Sequence, residues 1–267
     1  APVREPLTCL FDFGAAGSTT GKATAPANDP ARMWNNVTGI GLNSNGRLDT
    51  VVGTGGEATR IGLVMLSRFN GVNENGTTVS TEFPVNATRD SLYGNTETFN
   101  GLQNVFPRFK LTGLDPGTAY TFTFFASRTG VGDNRETGYT VAGATTEFTA
   151  LNAANNVAAT AEVSRLHPTS EGEVTISLAP TPANTNANHF TYLGVLQVRS
   201  AETTELATPL LLTPSTLVID WTGNGVLEWS ENLSPSEWHP ITPAPVAPWF
   251  EDISRSPRRF YRLRPAP

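Results

Sequence analysis

The residues able to do chemistry are few and scattered. The three histidines, His167, His189 and His239, lie far apart, and none has a second His or Cys at ligand spacing, so the pattern argues against a zinc centre. No GxSxG, HExxH, Walker loop or CxxC occurs. Asp90-Ser91 is the one adjacent Asp-Ser pair suggestive of a nucleophile, and it reads as a turn or cap, because both side chains habitually bond local backbone. Paired carboxylates could hydrolyse a glycoside. The candidates Asp12, Glu97, Asp115 and Asp133 have no diagnostic context. Asp12 alternates with apolar residues in LFDFG and reads as the buried partner of an arginine such as Arg128; Arg128 and Arg135 are structural first and ligand-binding second. A hydrolase with a dispersed site is therefore the weakest reading, and a non-enzymatic protein is expected.

Binding chemistry is better represented. A sugar's apolar face stacks on aromatic rings, and Trp34, Tyr93 and Tyr139 fall in or near predicted loops, with Asn35 beside Trp34. These four residues are the candidate glycan site. The competing reading has Trp34 plugging the open end of a sandwich, since large aromatics are mostly buried. Trp221, Trp229, Trp238 and Trp249 form either a miniature core or an interaction patch. Trp249, Arg258, Arg259 and Tyr261 are the candidate self-association residues. Four Asn-x-Ser/Thr sequons, at Asn36, Asn75, Asn86 and Asn232, are candidate glycosylation sites, Asn75 foremost because it lies in a turn.

The elements that must carry these residues are β-strands. The 267 residues are 38% hydrophobic with 24 Gly and 20 Pro, a balance of strand and turn formers with enough apolar content for a core. Net charge is −6, which argues against a nucleic-acid partner. One basic run, Arg255 to Arg264, lies near the C-terminus. The single cysteine, Cys9, forms no internal disulfide and reads as a buried apolar residue or a link between chains. No apolar run reaches a membrane span. The opening Ala-Pro reads as a mature N-terminus after signal cleavage, so an extracellular or cell-surface location is expected.

Strand-like runs recur every 8–15 residues or so, the spacing of a sandwich. They are Leu7–Phe13, Arg60–Leu66, Thr78–Val85, Val105–Leu111, Ala119–Ala126, Gly138–Ala142, Thr145–Leu151, Val157–Val163, Glu173–Leu178 and Phe190–Val198. Tyr120-Thr-Phe122-Thr-Phe124 alternates cleanly, and Leu114-Asp-Pro-Gly117 is a tight turn. Asn-Gly pairs at 45–46, 70–71, 75–76 and 100–101 supply residues tolerant of positive φ. The only helix expected is a short turn near Asp90–Tyr93. Residues 1–198 form the main domain, 199–209 a linker, and 210–267 a small Trp-rich β domain with runs at Leu217–Trp221, Val226–Ser230, Trp238–Ile241 and Phe260–Leu263.

The pieces LFDFG (10–14), MWNNVTG (33–39), ATRDS (87–91), FKLTGLDPGTAYTFTFFASR (109–128), RETGYTVAG (135–143) and HFTYLGVLQV (189–198) resemble, in order and spacing, a family of galactose-binding-like jelly-roll domains of exported bacterial proteins, many with PEP-CTERM-type sorting tails. No such tail is read within these 267 residues; residues 221–265 resemble a small C-terminal β module of similar proteins. The resemblance implies an all-β jelly-roll sandwich followed by a small β domain. Related jelly rolls often bind glycans or carry one structural calcium ion, for which Asp49, Asp133 and Asn134 are the candidate ligands, although no DxDxDG run exists. No other cofactor is expected. The expected function is a structural subunit of an extracellular assembly, a filament or surface layer, whose main partner is itself, joined head to tail through Ala1–Leu7 or Pro240–Pro267. The alternative is a carbohydrate-binding adhesin or accessory module with a polysaccharide partner.

Overall fold

A computed structural model describes residues 6–15, 23–201, 205–206, 209–222, 225–233, 237–255 and 259–265. The chain is nearly all β, with 44% strand and 4% helix, as the turn-rich composition predicts. Contacts divide it into a unit spanning Leu7–Ala201 and a smaller one containing Glu202–Pro267. The division falls a little later than the expected end of the main domain. Its last strand continues through Arg199 and Ser200, which pair with Thr121 and Tyr120. No described helix is long and apolar enough to cross a membrane.

The large unit contains β1 (Thr8–Asp12), β2 (Asn35–Asn36), β3 (Arg47–Leu48), β4 (Gly62–Ser67), β5 (Gly71–Asn73), α1 (Val85–Thr88), β6 (Ser91–Gly94), β7 (Arg108–Thr112), β8 (Tyr120–Phe125), β9 (Glu136–Ala142), β10 (Thr146–Asn152), β11 (Ala161–Leu166), β12 (Val174–Pro180), β13 (Thr191–Leu193) and β14 (Val195–Ser200). One sheet has the order β11-β8-β14-β1-β2 and a second β10-β9-β12-β7-β4-β3; β13-β6-β5 form a third, smaller sheet. The two large sheets share one core. Phe11, Phe122, Phe124 and Leu196 from the first meet Leu63, Phe109, Tyr139 and Ile176 from the second, all fully buried. Phe124 and Tyr139 stack at 4.3 Å and 9°. The alternation read in 120–124 is the cause: Tyr120, Phe122 and Phe124 turn inward, while Thr121 and Thr123 are half-exposed. The arrangement is sandwich-like.

Two local expectations are corrected. Thr78–Val85 is not a strand: Pro84 stands at the N-cap of α1, and Val79 is exposed. Asp90–Tyr93 is not a helical turn: Ser91–Gly94 is a buried strand paired on both sides, with β5 and β13. Of the Asn-Gly pairs, 100–101 has the positive φ angles expected (49° and 75°). The turn after Leu114 forms as read, with the Gly117 N–H donating to Asp115 Oδ1 at 2.9 Å. Just before it, Gly113 has φ 72°, and a Cβ there would lie 2.0 Å from the Arg60 carbonyl oxygen, so that position requires glycine.

The small unit contains β15 (Glu205–Leu206), β16 (Leu210–Thr213), β17 (Thr216–Ile219), β18 (Trp221–Thr222), β19 (Gly225–Ser230), β20 (His239–Pro240), β21 (Trp249–Asp252) and β22 (Phe260–Pro265). Its sheets are β16-β17-β21, β20-β19-β22 and the pair β15-β18. The expected linker therefore contains a strand, β15, within 199–209. Ile219, Trp221 and Leu227 form the core, with Leu206, Leu217, Ile241, Trp249, Tyr261 and Leu263 packed on it.

Candidate functional site

The large unit uses its functional candidates internally. Trp34 is 8% exposed. Its Nε1–H donates to Asp29 Oδ2 at 2.8 Å, and its ring meets Phe83 edge-on at 6.1 Å in a cluster with Leu10, Ala87, Phe125 and Val195. Asn35 donates to the carbonyls of Leu10 and Val52 and accepts from the Val52 N–H. Tyr93 is 6% exposed and Tyr139 wholly buried, its hydroxyl donating to the Tyr192 carbonyl at 2.7 Å. The expected loop-aromatic platform is thus corrected: the rings pack inward because each sits among other aromatics that exclude water.

The proposed calcium ligands are also separated. Asp49 follows β3, and Asp133 and Asn134 precede β9, four strand spacings away in one sheet, about 19 Å. Asp49 accepts from Arg47 at 2.8 Å. Asp133 accepts from Arg135 Nε at 2.8 Å and from Asn186 at 2.6 Å, and the Arg135 hydrogen bond holds its carboxyl below the usual range. Asn134 Oδ1 accepts the Glu136 N–H. Among the described residues no group of three or more His, Cys, Asp or Glu could hold a metal.

Asp12 is buried as expected, but not with Arg128, whose Nη1 donates to the Thr129 carbonyl. Asp12 Oδ2 accepts from the Thr24 N–H (2.9 Å) and hydroxyl (2.8 Å), while Oδ1 has no hydrogen-bond partner among the described residues. Burial, with a further contribution from the Asp90 charge, raises the carboxyl to about 8. Asp90 Oδ2 accepts the Ala15 N–H at 2.9 Å. Cys9 is buried, and burial pushes its thiol up to about 12. Among the sequons, Asn75 is exposed, as a glycan acceptor requires. Asn86 is buried with its amide donating to the Ala23 carbonyl, and the Asn36 amide donates to the Thr24 carbonyl, so neither presents its nitrogen outward. Asn232 is exposed and its amide is bonded to Glu237.

The small unit differs. Its inner ion pair uses the expected self-association residues: Glu251 accepts Arg259 Nη1 at 2.6 Å and Trp249 Nε1 at 3.0 Å, and Arg259 lies 4.4 Å above the Trp229 ring. Tyr261 is half-buried opposite Trp229. These side chains are engaged with one another within the unit. Arg258 lies outside the described residues, as do residues 1–5 of the expected N-terminal contact segment.

Two surface features were not read from the sequence. The edge strand β16 is exposed along its whole length, with Leu210, Leu211 and Leu212 at 62%, 57% and 56%. Leu210 pairs with Val218 and Val218 with Phe250, itself 56% exposed, so an apolar row crosses the outer side of that sheet. The second feature lies on β20-β19-β22. Leu227, Trp229, Tyr261 and Leu263 share the core-facing side, so Glu228, Arg262 and Arg264 project from the other. There Arg262 donates to Glu228 Oε2 at 2.7 Å and Arg264 to Oε1 at 2.9 Å, and the Arg262 guanidinium lies 4.5 Å over the Trp238 ring. Burial works against the Glu228 charge, but the hydrogen bonds from Arg264 and Arg262 outweigh it and hold the carboxyl below its ordinary range. Compared with known proteins, the chain matches no family model and no curated protein.

Proposed function

We propose that the chain is a non-catalytic, exported structural subunit of an extracellular assembly, a filament or surface layer, that joins its neighbours through the small unit. The observation that carries this reading is β16. Edge strands are normally shielded by charge, shortness or cover. This one presents three consecutive leucines, more than half exposed, between Pro209 and Pro214 and without a charged residue. Among the described residues no strand pairs with its outer edge, the arrangement that accepts an extended segment of another molecule. The sandwich then serves as the body of the subunit, and its named aromatics stabilise that body. The test is the double variant Leu211→Lys/Leu212→Lys in the full chain. It is expected to remain folded and to lose higher-order species in sedimentation velocity; assemblies of unchanged size would sink the reading.

A second reading, a carbohydrate-binding adhesin or accessory module, is favoured by one observation: the Trp238–Arg262 stack on the outer face of the small unit. It no longer rests on Trp34, Tyr93 or Tyr139. Retention on a panel of immobilised polysaccharides tests it, and passage through all of them unretarded would remove it.

A further inference from the structure

The outer face of β20-β19-β22 combines an aromatic ring and two cations that the fold holds in place. Glu228, with its side chain only 6% exposed, grips both guanidiniums, while Arg262 and Arg264 remain 41% and 47% exposed. Two guanidiniums against one carboxylate leave one net positive charge on this face, in a chain of net charge −6. Arg264 spends its Nε on Glu228, and its two terminal nitrogens have no partner among the described residues. Trp238 is half-buried, with Arg262 against its ring. A guanidinium oriented by a buried carboxylate loses little freedom when it binds a second planar anion. A ring already pinned offers a rigid surface to the C–H face of a sugar.

We propose that this face binds an acidic polysaccharide of the uronate type. Arg264 pairs with a sugar carboxylate, and Trp238 supplies the stacking surface. Glu228 is a positioning residue that orients the guanidiniums and touches no ligand. A carboxylate is placed here rather than a sulfate ester because the same face already holds one carboxylate, that of Glu228, with the Arg262 Nε–H donating to Oε2 and the Arg264 Nε–H to Oε1. The inference rests on the carbohydrate-binding reading and is independent of the assembly reading.

The experiment is affinity electrophoresis of the full chain in gels containing polygalacturonate, dextran sulfate or neutral dextran, with melting temperature as the folding control. The expected result is retardation by polygalacturonate alone, weakened about tenfold by Arg264→Ala and partly restored by Arg264→Lys, with Trp238→Ala also weakened and all variants melting near wild type. If Trp238→Ala fails to fold, the Arg264 pair decides alone. Equal retardation by dextran sulfate indicates plain ion exchange and overturns the proposal. Retardation by a neutral polysaccharide that Arg264→Ala leaves unchanged also overturns it, while preserving the carbohydrate-binding reading. No retardation in any gel overturns both.

Discussion

The two units use the same residue types in opposite ways. In the large unit, Phe11, Phe122, Phe124 and Tyr139 close a shared core between two sheets, and even the aromatics read as loop residues are buried. In the small unit three of the described residues form the buried core, and leucines and a phenylalanine stand outside it. A domain of about 60 residues buries too little apolar surface to be comfortably stable. Exposing Leu210, Leu211, Leu212 and Phe250 as well makes sense if another molecule covers them. On the function proposed, the difference separates a part built for stability from a part built for contact.

The sharpest way to test that division is to damage the body. Phe124→Ala removes a fully buried ring stacked on Tyr139, and urea denaturation is expected to show a loss of about 3–5 kcal/mol. Trp34→Ala comes next: about 3 kcal/mol of stability, with polysaccharide retention unchanged, because the ring is packed against Phe83. A loss of retention without destabilisation would restore Trp34 as a ligand residue.

The buried Asp12 adds a pH dependence to the large unit. Its folded carboxyl is raised to about 8, far above the unfolded value, so the folded state binds the extra proton between those two values. Stability should therefore fall as pH rises through that window, by at most about 1.4 kcal/mol per pH unit from this group. Asp12→Asn should flatten the slope, leaving wild type about 2 kcal/mol worse relative to the variant at pH 8 than at pH 6. Parallel curves would contradict the burial assignment.

In the small unit the expected effects are smaller. Glu228→Gln weakens the hold on two half-exposed arginines and should cost about 1–2 kcal/mol near neutral pH. The Glu228 carboxyl is lowered in the folded state, so its contribution is present above the ordinary carboxylate range and disappears as pH falls through the folded value. Fluorescence in a Trp34→Phe background reads this directly, since the remaining four tryptophans all lie in the small unit. Smallest of all, Leu211→Lys should shift stability by no more than about 0.5 kcal/mol, because the side chain is already largely in water.

Much of the body was legible in the sequence. The period of two in Tyr120–Phe124 and the Asp-Pro-Gly turn are local signals, and local physics decides them. Ser91–Gly94 was misread because Asp90-Ser91 carries turn chemistry, whereas pairing on both sides, invisible locally, makes the segment a strand. The site was less legible still. Residue type says that Trp34, Tyr93 and Tyr139 can stack on a sugar, not that they point inward. Leu210–Leu212 was absorbed into the start of the small domain without a strand reading, and Glu228 joins Arg262 across 34 residues only through the β19–β22 register.

The function proposed makes the small unit a contact module and the chain a building block. Multi-angle light scattering of the native full chain across a concentration series, with electron micrographs of the same fractions, tests it most directly. Masses above one chain that grow with concentration, and regular assemblies in the micrographs, are expected. A single monomeric mass at every concentration, with featureless micrographs, would contradict it.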